Sequence, residues 1–428
     1  MFASFIQKLK MIAQDAKLRN RVLFVLGALL IFRLLAAIPI PGVDRIALEE
    51  FFNGSQFLSF INIFSGGGLS GLSIVMLGVG PYITGSIIMQ LLTMMSEKLK
   101  ALYHEEGEAG RRKFAQYSRM LTVPLAAIQG YGFMLLLQQQ GILENMTQFQ
   151  MLSNLVIIIA GSILLMWIGE LVSEFGIGNG MSLIIFAGIV AGLPNAVQQI
   201  LVNYDASQIS TYVLFVVMSL IITFAVVLIT EAERPIPITY AKQARGSNNT
   251  TKTSTGPSTY LPLRLNQAGV IPIIFALSIM LLPQMLVNFL GGVQNEIVQS
   301  AISGLNQFIN NGLAYGVAYF ILVFLFTYFY TAVTFDPDSV AKNLQQSGAF
   351  IPGVRPGEST AKYVGNVISR VTLVGATFLG LIAILPIIAR EISGIEAVAL
   401  GGTSLLIAVS VVIDLIKKID AQLSMREY

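Results

Sequence analysis

Residues 51–96 read FFNGSQFLSFINIFSGGGLSGLSIVMLGVGPYITGSIIMQLLTMMS, an unbroken run from Phe51 to Ser96 without a charged side chain. As one α-helix it would extend about 69 Å, more than twice the ~30 Å hydrocarbon core of a bilayer. The chain must fold back within it. The break is Ser65-Gly66-Gly67-Gly68-Leu69-Ser70-Gly71. Before it lies a short apolar piece, Gln56 to Phe64, about half a membrane thickness long. After it comes a full span, 74–95. Glycine backbone at membrane depth has to sit inside protein or line a cavity, because lipid offers its amides no partner. The stretch therefore predicts an internal cavity occupied by a half-helix. From these residues alone the half-helix is either a moving part or a fixed re-entrant packing element.

The rest of the chain agrees with a membrane setting. Of its 428 residues, 54% are hydrophobic and 11% charged, with a mean hydropathy of +0.73. A soluble chain carries about 25% charged residues. So low a charge cannot cover a water-soluble surface, which excludes a soluble enzyme, a secreted domain and a disordered chain. Ten apolar spans are expected, near 22–40, 74–95, 120–137, 151–169, 181–201, 210–230, 268–290, 313–335, 371–389 and 397–413. The first follows Lys8, Lys10, Lys17, Arg19 and Arg21 and so resembles a signal peptide. Nine more spans follow it and no small-x-small cleavage site is visible, so it reads as retained. Of the 26 Lys and Arg, Arg33 lies within a span and only Arg45 and Arg390 fall in loops on one side. All the others share the opposite side, which the positive-inside rule makes cytoplasmic, with both termini there.

Ten spans divide into five and five, 1–205 and 206–428. An odd half-length makes the halves inverted if they are structural repeats. The expected fold is an all-α integral membrane protein of ten transmembrane helices in two inverted five-helix halves. Pro81, Pro124, Pro272, Pro283 and Pro386 fall within spans and predict kinks.

Several chemistries are absent. The chain has no cysteine, hence no disulfide, thiolate nucleophile or Cys-ligated metal, and a single histidine, His104. No Gly-Lys pair exists for a Walker A loop. Gly176-Ile177-Gly178-Asn179-Gly180 follows no strand and reads as a tight turn opening the fifth span. Gly68-Leu69-Ser70-Gly71 suggests an intramembrane serine protease, but that serine needs a histidine, and His104 sits in a charged loop on the other side. Net charge is only +3, so nucleic-acid binding by bulk charge is not indicated. Arg33 lies near the external end of its span, where it can snorkel or pair with a carboxylate. No carboxylate or histidine lies at mid-membrane, which argues against a proton- or sodium-driven carrier. Two cytoplasmic loops, 231–266 and 336–370, are long and basic. The second contains Pro352-Gly353-Val354-Arg355-Pro356-Gly357. Such loops suit the docking of a partner.

These features resemble a known family. Phe32-Arg33 with Ile38-Pro39-Ile40-Pro41-Gly42-Val43-Asp44, Asn62 to Gly67, Gly80 to Thr84, Glu106 to Arg112, Gly176 to Ile185, Asn266 to Phe275 and Gly348 to Gly357 are similar to the SecY family, the central subunits of the bacterial Sec translocase. The match covers nearly the whole chain in order. It implies a protein-conducting channel in the bacterial cytoplasmic membrane with a central hourglass pore, no enzymatic activity and no cofactor or metal. Unfolded secretory polypeptides would pass through the pore, and transmembrane segments would leave sideways into the lipid bilayer. The implied waist ring is Val79, Ile83, Met181, Ile185, Ile274 and Ile407. Independently of the family, Val79/Ile83 and Met181/Ile185 are i, i+4 pairs, each on one helix face. The implied plug spans about 56–70 and includes Phe57, Phe60, Ile61, Ile63, Phe64, Gly66 and Gly67. The implied lateral gate lies between spans two, three, seven and eight. Driving force would come from the SecA motor ATPase or a translating ribosome. Docking residues would be Arg355, Lys242, Arg245, Arg264, Arg111 and Arg112. SecE and SecG are the implied membrane partners, and signal sequences and nascent polypeptides the implied substrates.

Four departures from the family stand out. Tyr240-Ala241-Lys242 is followed by a polar Ser/Thr/Asn stretch in place of a basic tip, and composition predicts that stretch to be flexible. Met181 replaces a branched ring residue, which softens the gasket. The sequence ends at Met425-Arg426-Glu427-Tyr428, short of the family's basic tail. The loop after the fourth span carries Glu170 and Glu174 but no basic residue. The competing readings are a secondary transporter of a small solute and a scaffold or insertase without an aqueous path.

Overall fold

The computed structural model describes residues 14–41, 68–69, 71–104, 106–139, 141–143, 147–202, 209–240, 258–290, 295–393 and 401–424. In chain order the helices are α1 Ala16–Ala36, α2 Gly80–Met95, α3 Glu97–His104, α4 Gly107–Gln139, α5 Gln148–Phe175, α6 Gly180–Val202 and α7 Ile209–Glu231. They continue as α8 Ile271–Leu290, α9 Glu296–Asn310, α10 Gly312–Thr334, α11 Pro337–Gln346, α12 Glu358–Ser393 and α13 Gly401–Ser424. Each expected span coincides with one of these. Among the described residues, four helices are by length and composition alone apolar enough to cross a membrane.

Short polar residues punctuate the apolar runs. Asp15 Oδ1 accepts from Lys17 N and Leu18 N at the start of α1. Thr147 and Gln150 form a reciprocal capping box at α5. Asn311 and Asp336 cap α10 and α11. The helices are dressed for lipid: α7 turns Val213, Val216, Leu220, Ile221, Phe224 and Leu228 outward, all exposed. A continuous row of that kind is a face that water does not cover.

The second span departs from expectation. Residues 71–79 form successive turns, with Met76 N bonded to Ser73 O, Gly78 N to Val75 O and Gly80 N to Leu77 O. The helix begins only at Gly80. Pro81 therefore sits in the first turn of α2, and Pro272 in the first turn of α8, where a missing N–H costs nothing. These two prolines start helices instead of kinking them. The turns are enclosed by protein, as non-helical backbone at this depth requires: Val75, Met76 and Val79 are fully buried. Gly161 of α5 admits this backbone, since a Cβ there would overlap the Ile74 carbonyl. The segment is also tied to the end of α1, with Ile40 N donating to Leu72 O and Ile74 N to Ile38 O.

The chain is mostly helical, and the long loops fold into a small sheet that the sequence reading left as loop. Strands β1 (Glu233–Tyr240), β2 (Ser258–Arg264) and β3 (Ala349–Phe350) run in the order β2-β1-β3, both pairings antiparallel. Ile236 and Leu263 bury against Ile351, Val364, Val367, Ile368 and Val371. The sheet thus packs on the first turns of α12. At 36 residues, α12 runs about 54 Å and overshoots a bilayer core. α9, between α8 and α10, was also not expected. Its signal was an Asn295 cap and apolar residues at Val298, Ile302, Leu305 and Ile309.

Candidate functional site

Four segments far apart in sequence supply the expected ring residues. Val79 precedes the first turn of α2 and Ile83 lies within it, with Ile83 N bonded to Val79 O at 3.1 Å. Met181 and Ile185 lie in the first two turns of α6. Ile274 follows the entry of α8, and Ile407 lies in the second turn of α13. Val79, Ile185, Ile274 and Ile407 are buried in one apolar cluster, and Ile83 and Met181 pack against it half-buried. An apolar constriction in a channel excludes ions by dewetting while its side chains can yield to a passing chain.

The turn before α6 fixes two of these residues. Gly178 takes φ +94°, the left-handed region. Asn179 Oδ1 then accepts from Met181 N at 3.0 Å and Ser182 N at 3.3 Å, and Ser173 Oγ accepts from Gly180 N at 2.8 Å. This is the tight turn expected of the Gly-Ile-Gly-Asn-Gly motif. A Cβ on Gly180 would overlap the Gly169 carbonyl, so α5 and α6 meet backbone to backbone there.

On the side of the ring that carries the sheet lies a cavity of about 240 Å³. Its walls come from the turn before α6, the ends of α7 and α10, residues 264–271, and α13 from Ser410 to Lys418. Sequence reasoning missed it. Asn266 and Ser410 line it, both buried, and among the described residues neither Asn266 Oδ1 nor Ser410 Oγ has a hydrogen-bond partner. The available signal was a polar residue three places after Ile407, on the same face of a span.

The elements of the expected gate are neighbours. α2 packs on α4 and α8 on α10, and α8 touches both α2 and α4. Phe275 of α8 sits edge-on to Phe326 and Tyr330 of α10, centroids 5.9 and 6.0 Å apart. Arg33 points inward: its Nη2 donates to the Ala187 carbonyl of α6 at 2.9 Å. Among its described contacts are this backbone carbonyl and the ring of Phe32, 5.5 Å from the guanidinium carbon to the ring centroid.

The described residues expected to dock a partner fall into three groups. Arg355 is exposed on a turn shaped by Gly353 (φ +83°) and Gly357 (φ +98°), and its carbonyl accepts from Thr360 Oγ1 at 2.8 Å. Arg264 is paired with Glu233 across the β1–β2 ladder at 3.3 Å. Arg111 and Arg112 are exposed at the start of α4, with Arg112 on Glu108 at 3.0 Å. Lys242, Arg245 and the plug residues Phe57, Phe60, Ile61, Ile63, Phe64, Gly66 and Gly67 lie outside the described residues. At the edge of the plug segment, Leu69 is fully buried against Leu72, Met76 and Phe133.

Comparison with known proteins supports the same origin. The SecY family model matches residues 73–416. The protein translocase subunit SecY of Escherichia coli K12 is 39% identical over 421 residues, covering 96% of this chain and 93% of that one. Among solved structures, a protein-conducting channel superposes with a TM-score of 0.65 at 18% identity, covering 94% of this chain and 92% of that one. Sec61 in a canine ribosome–channel complex gives 0.62 at 17% identity, with 94% and 92% covered. At those identities the solved structures establish the fold, and the family model and the E. coli relative establish descent: the chain belongs to the SecY family of multi-pass membrane proteins.

Proposed function

We propose that this chain is the protein-conducting subunit of a Sec translocase, a passive conduit that makes and breaks no bond. Unfolded secretory polypeptides pass through the ring of Val79, Ile83, Met181, Ile185, Ile274 and Ile407. Transmembrane segments leave between α2/α4 and α8/α10, drawn into lipid by apolar burial of about 25 cal/mol per Å². The observation that supports this reading is that Val79, Ile185, Ile274 and Ile407 belong to one apolar cluster against which Ile83 and Met181 pack. A solute carrier would need polar or ionisable groups there.

Energy is supplied from outside the subunit. The SecA motor docks on the face holding Arg355, and the likeness to a channel solved in a ribosome complex supports a ribosome at the same face. The concentration of Lys and Arg on that face supports its being cytoplasmic, together with both termini. SecE and SecG complete the membrane complex. The half-helix near 56–70 seals the external funnel at rest, and residues 1–205 and 206–428 form the two halves around the pore.

The test uses proteoliposomes holding this chain with SecE. SecA, ATP and an unfolded polypeptide with a signal sequence are added, followed by protease. ATP-dependent protection of the polypeptide is the expected result. Absence of protection beside a working E. coli control overturns the reading.

A further inference from the structure

The cavity beside the ring carries chemistry that a passive hole does not need. Asn266 and Ser410 are each more than nine-tenths buried, and both line it. Asn266 Oδ1 and Ser410 Oγ have no hydrogen-bond partner among the described residues. Buried polar atoms are nearly always paired, so two orphans on one cavity point to a missing partner.

The charges around them narrow what that partner is. Arg264 is paired with Glu233 at 3.3 Å, Lys417 with Glu231 at 3.0 Å and Lys418 with Asp414 at 2.8 Å. Every cation lining the cavity therefore has a carboxylate, and an anionic ligand would have to displace one. Asn179 Oδ1 is already used by two backbone amides. What remains unpaired is neutral: an amide oxygen, which needs a donor, and a hydroxyl, which can donate or accept. The cavity, about 240 Å³, has room for several waters, or for peptide groups that displace them. Ser410 lies one helical turn from Ile407 on α13, so a chain threading the ring from this side passes it.

We propose that this cavity reads polypeptide backbone. Asn266 Oδ1 accepts a peptide N–H of the passing chain, and Ser410 Oγ pairs with an adjacent peptide group. An extended chain offers one donor and one acceptor per residue whatever its side chains. A helical segment has already used its own, so the site favours extended chain over helix just before the waist. The inference rests on the channel reading above and assigns a recognition step to it.

The absence of native cysteine allows a direct test. Ser182 lines the cavity without belonging to the proposed pair, and S182C supplies the reporter. A substrate carrying one cysteine, moved through ten successive positions, is stalled in the reconstituted channel and oxidised. Backbone pairing holds the segment extended, so disulfide yield should alternate with a period of two residues. One hydrogen bond corresponds to an alternation of roughly fivefold. Asn266→Leu and Ser410→Ala should each flatten it. So should a substrate with proline at alternate positions, which lacks the N–H donors and leaves the channel unaltered. A flat pattern from S182C, with I407C cross-linking normally, overturns the proposal. Alternation that survives Asn266→Leu, Ser410→Ala and the proline substrate also overturns it. No cross-link from either I407C or S182C would overturn the pore reading itself.

Discussion

The ring residues are alike in chemistry but not in exposure. Val79 is fully buried, whereas Ile83 is only half-buried and keeps part of its surface exposed. Ile83→Gly removes that surface and loosens the first turn of α2. Its expected effect is a severalfold rise in resting ion conductance, read in planar bilayers. Unchanged conductance would remove Ile83 from the seal. At this scale the i, i+4 spacings were legible because each is local: Met181 and Ile185 share one helix, and Val79 is the cap residue of the helix that holds Ile83. The partner of Arg33 was not. A carbonyl 154 positions away along the chain has no signature in local sequence. Asn266 and Ser410 escaped for the same reason, since an unpaired atom is defined only by what surrounds it.

The hairpin shows at the scale of elements why loops are hard to read. β1 holds Pro235 and Pro237, and proline normally speaks against a strand. The register resolves the conflict. Pro235 faces Pro262, and neither can donate, so that pair exchanges no ladder bond. Pro237 has the same parity and occupies the same kind of position. Ile236 and Ile238, of opposite parity, turn into the small core. That core supports the Arg355 turn through Ile351 and Val354. Ile236→Ala should cost about 2–5 kcal/mol of local packing, and should lower motor-driven export while leaving ion leak unchanged. Arg355→Glu should abolish most motor-driven export at normal expression, because it reverses the charge presented to the partner. Protease protection of a signal-bearing substrate reads both variants, and full export by either would sink the docking role of this face.

The orientation of the whole molecule can be tested with two unique cysteines. Ser347 is exposed at the end of α11, on the sheet side, and Ser300 is exposed on α9, in the connection between α8 and α10. A membrane-impermeant maleimide should label Ser347→Cys only from the cytoplasmic side and Ser300→Cys only from the opposite side. The reverse pattern would invert the proposed topology. The inside-out character of the molecule needs no such test: α7 and α10 bear exposed Val, Leu and Phe, while Ser118, Thr122, Asn154 and Thr327 are buried.

Sequence by itself determined that the chain is a membrane protein, where its spans lie, and that Phe51–Ser96 cannot be one helix. Each of these follows from counting apolar residues against a fixed bilayer thickness, which is a one-dimensional constraint. The family resemblance, carried by motifs that run along the chain, also named the six proposed ring residues. Only tertiary structure decided that the second span starts as turns, that the long loops pair into a sheet, and that a polar cavity adjoins the waist. Those features depend on which backbone groups find partners across hundreds of residues. Hydropathy is blind to such pairing, because a paired and an orphaned amide have the same letter.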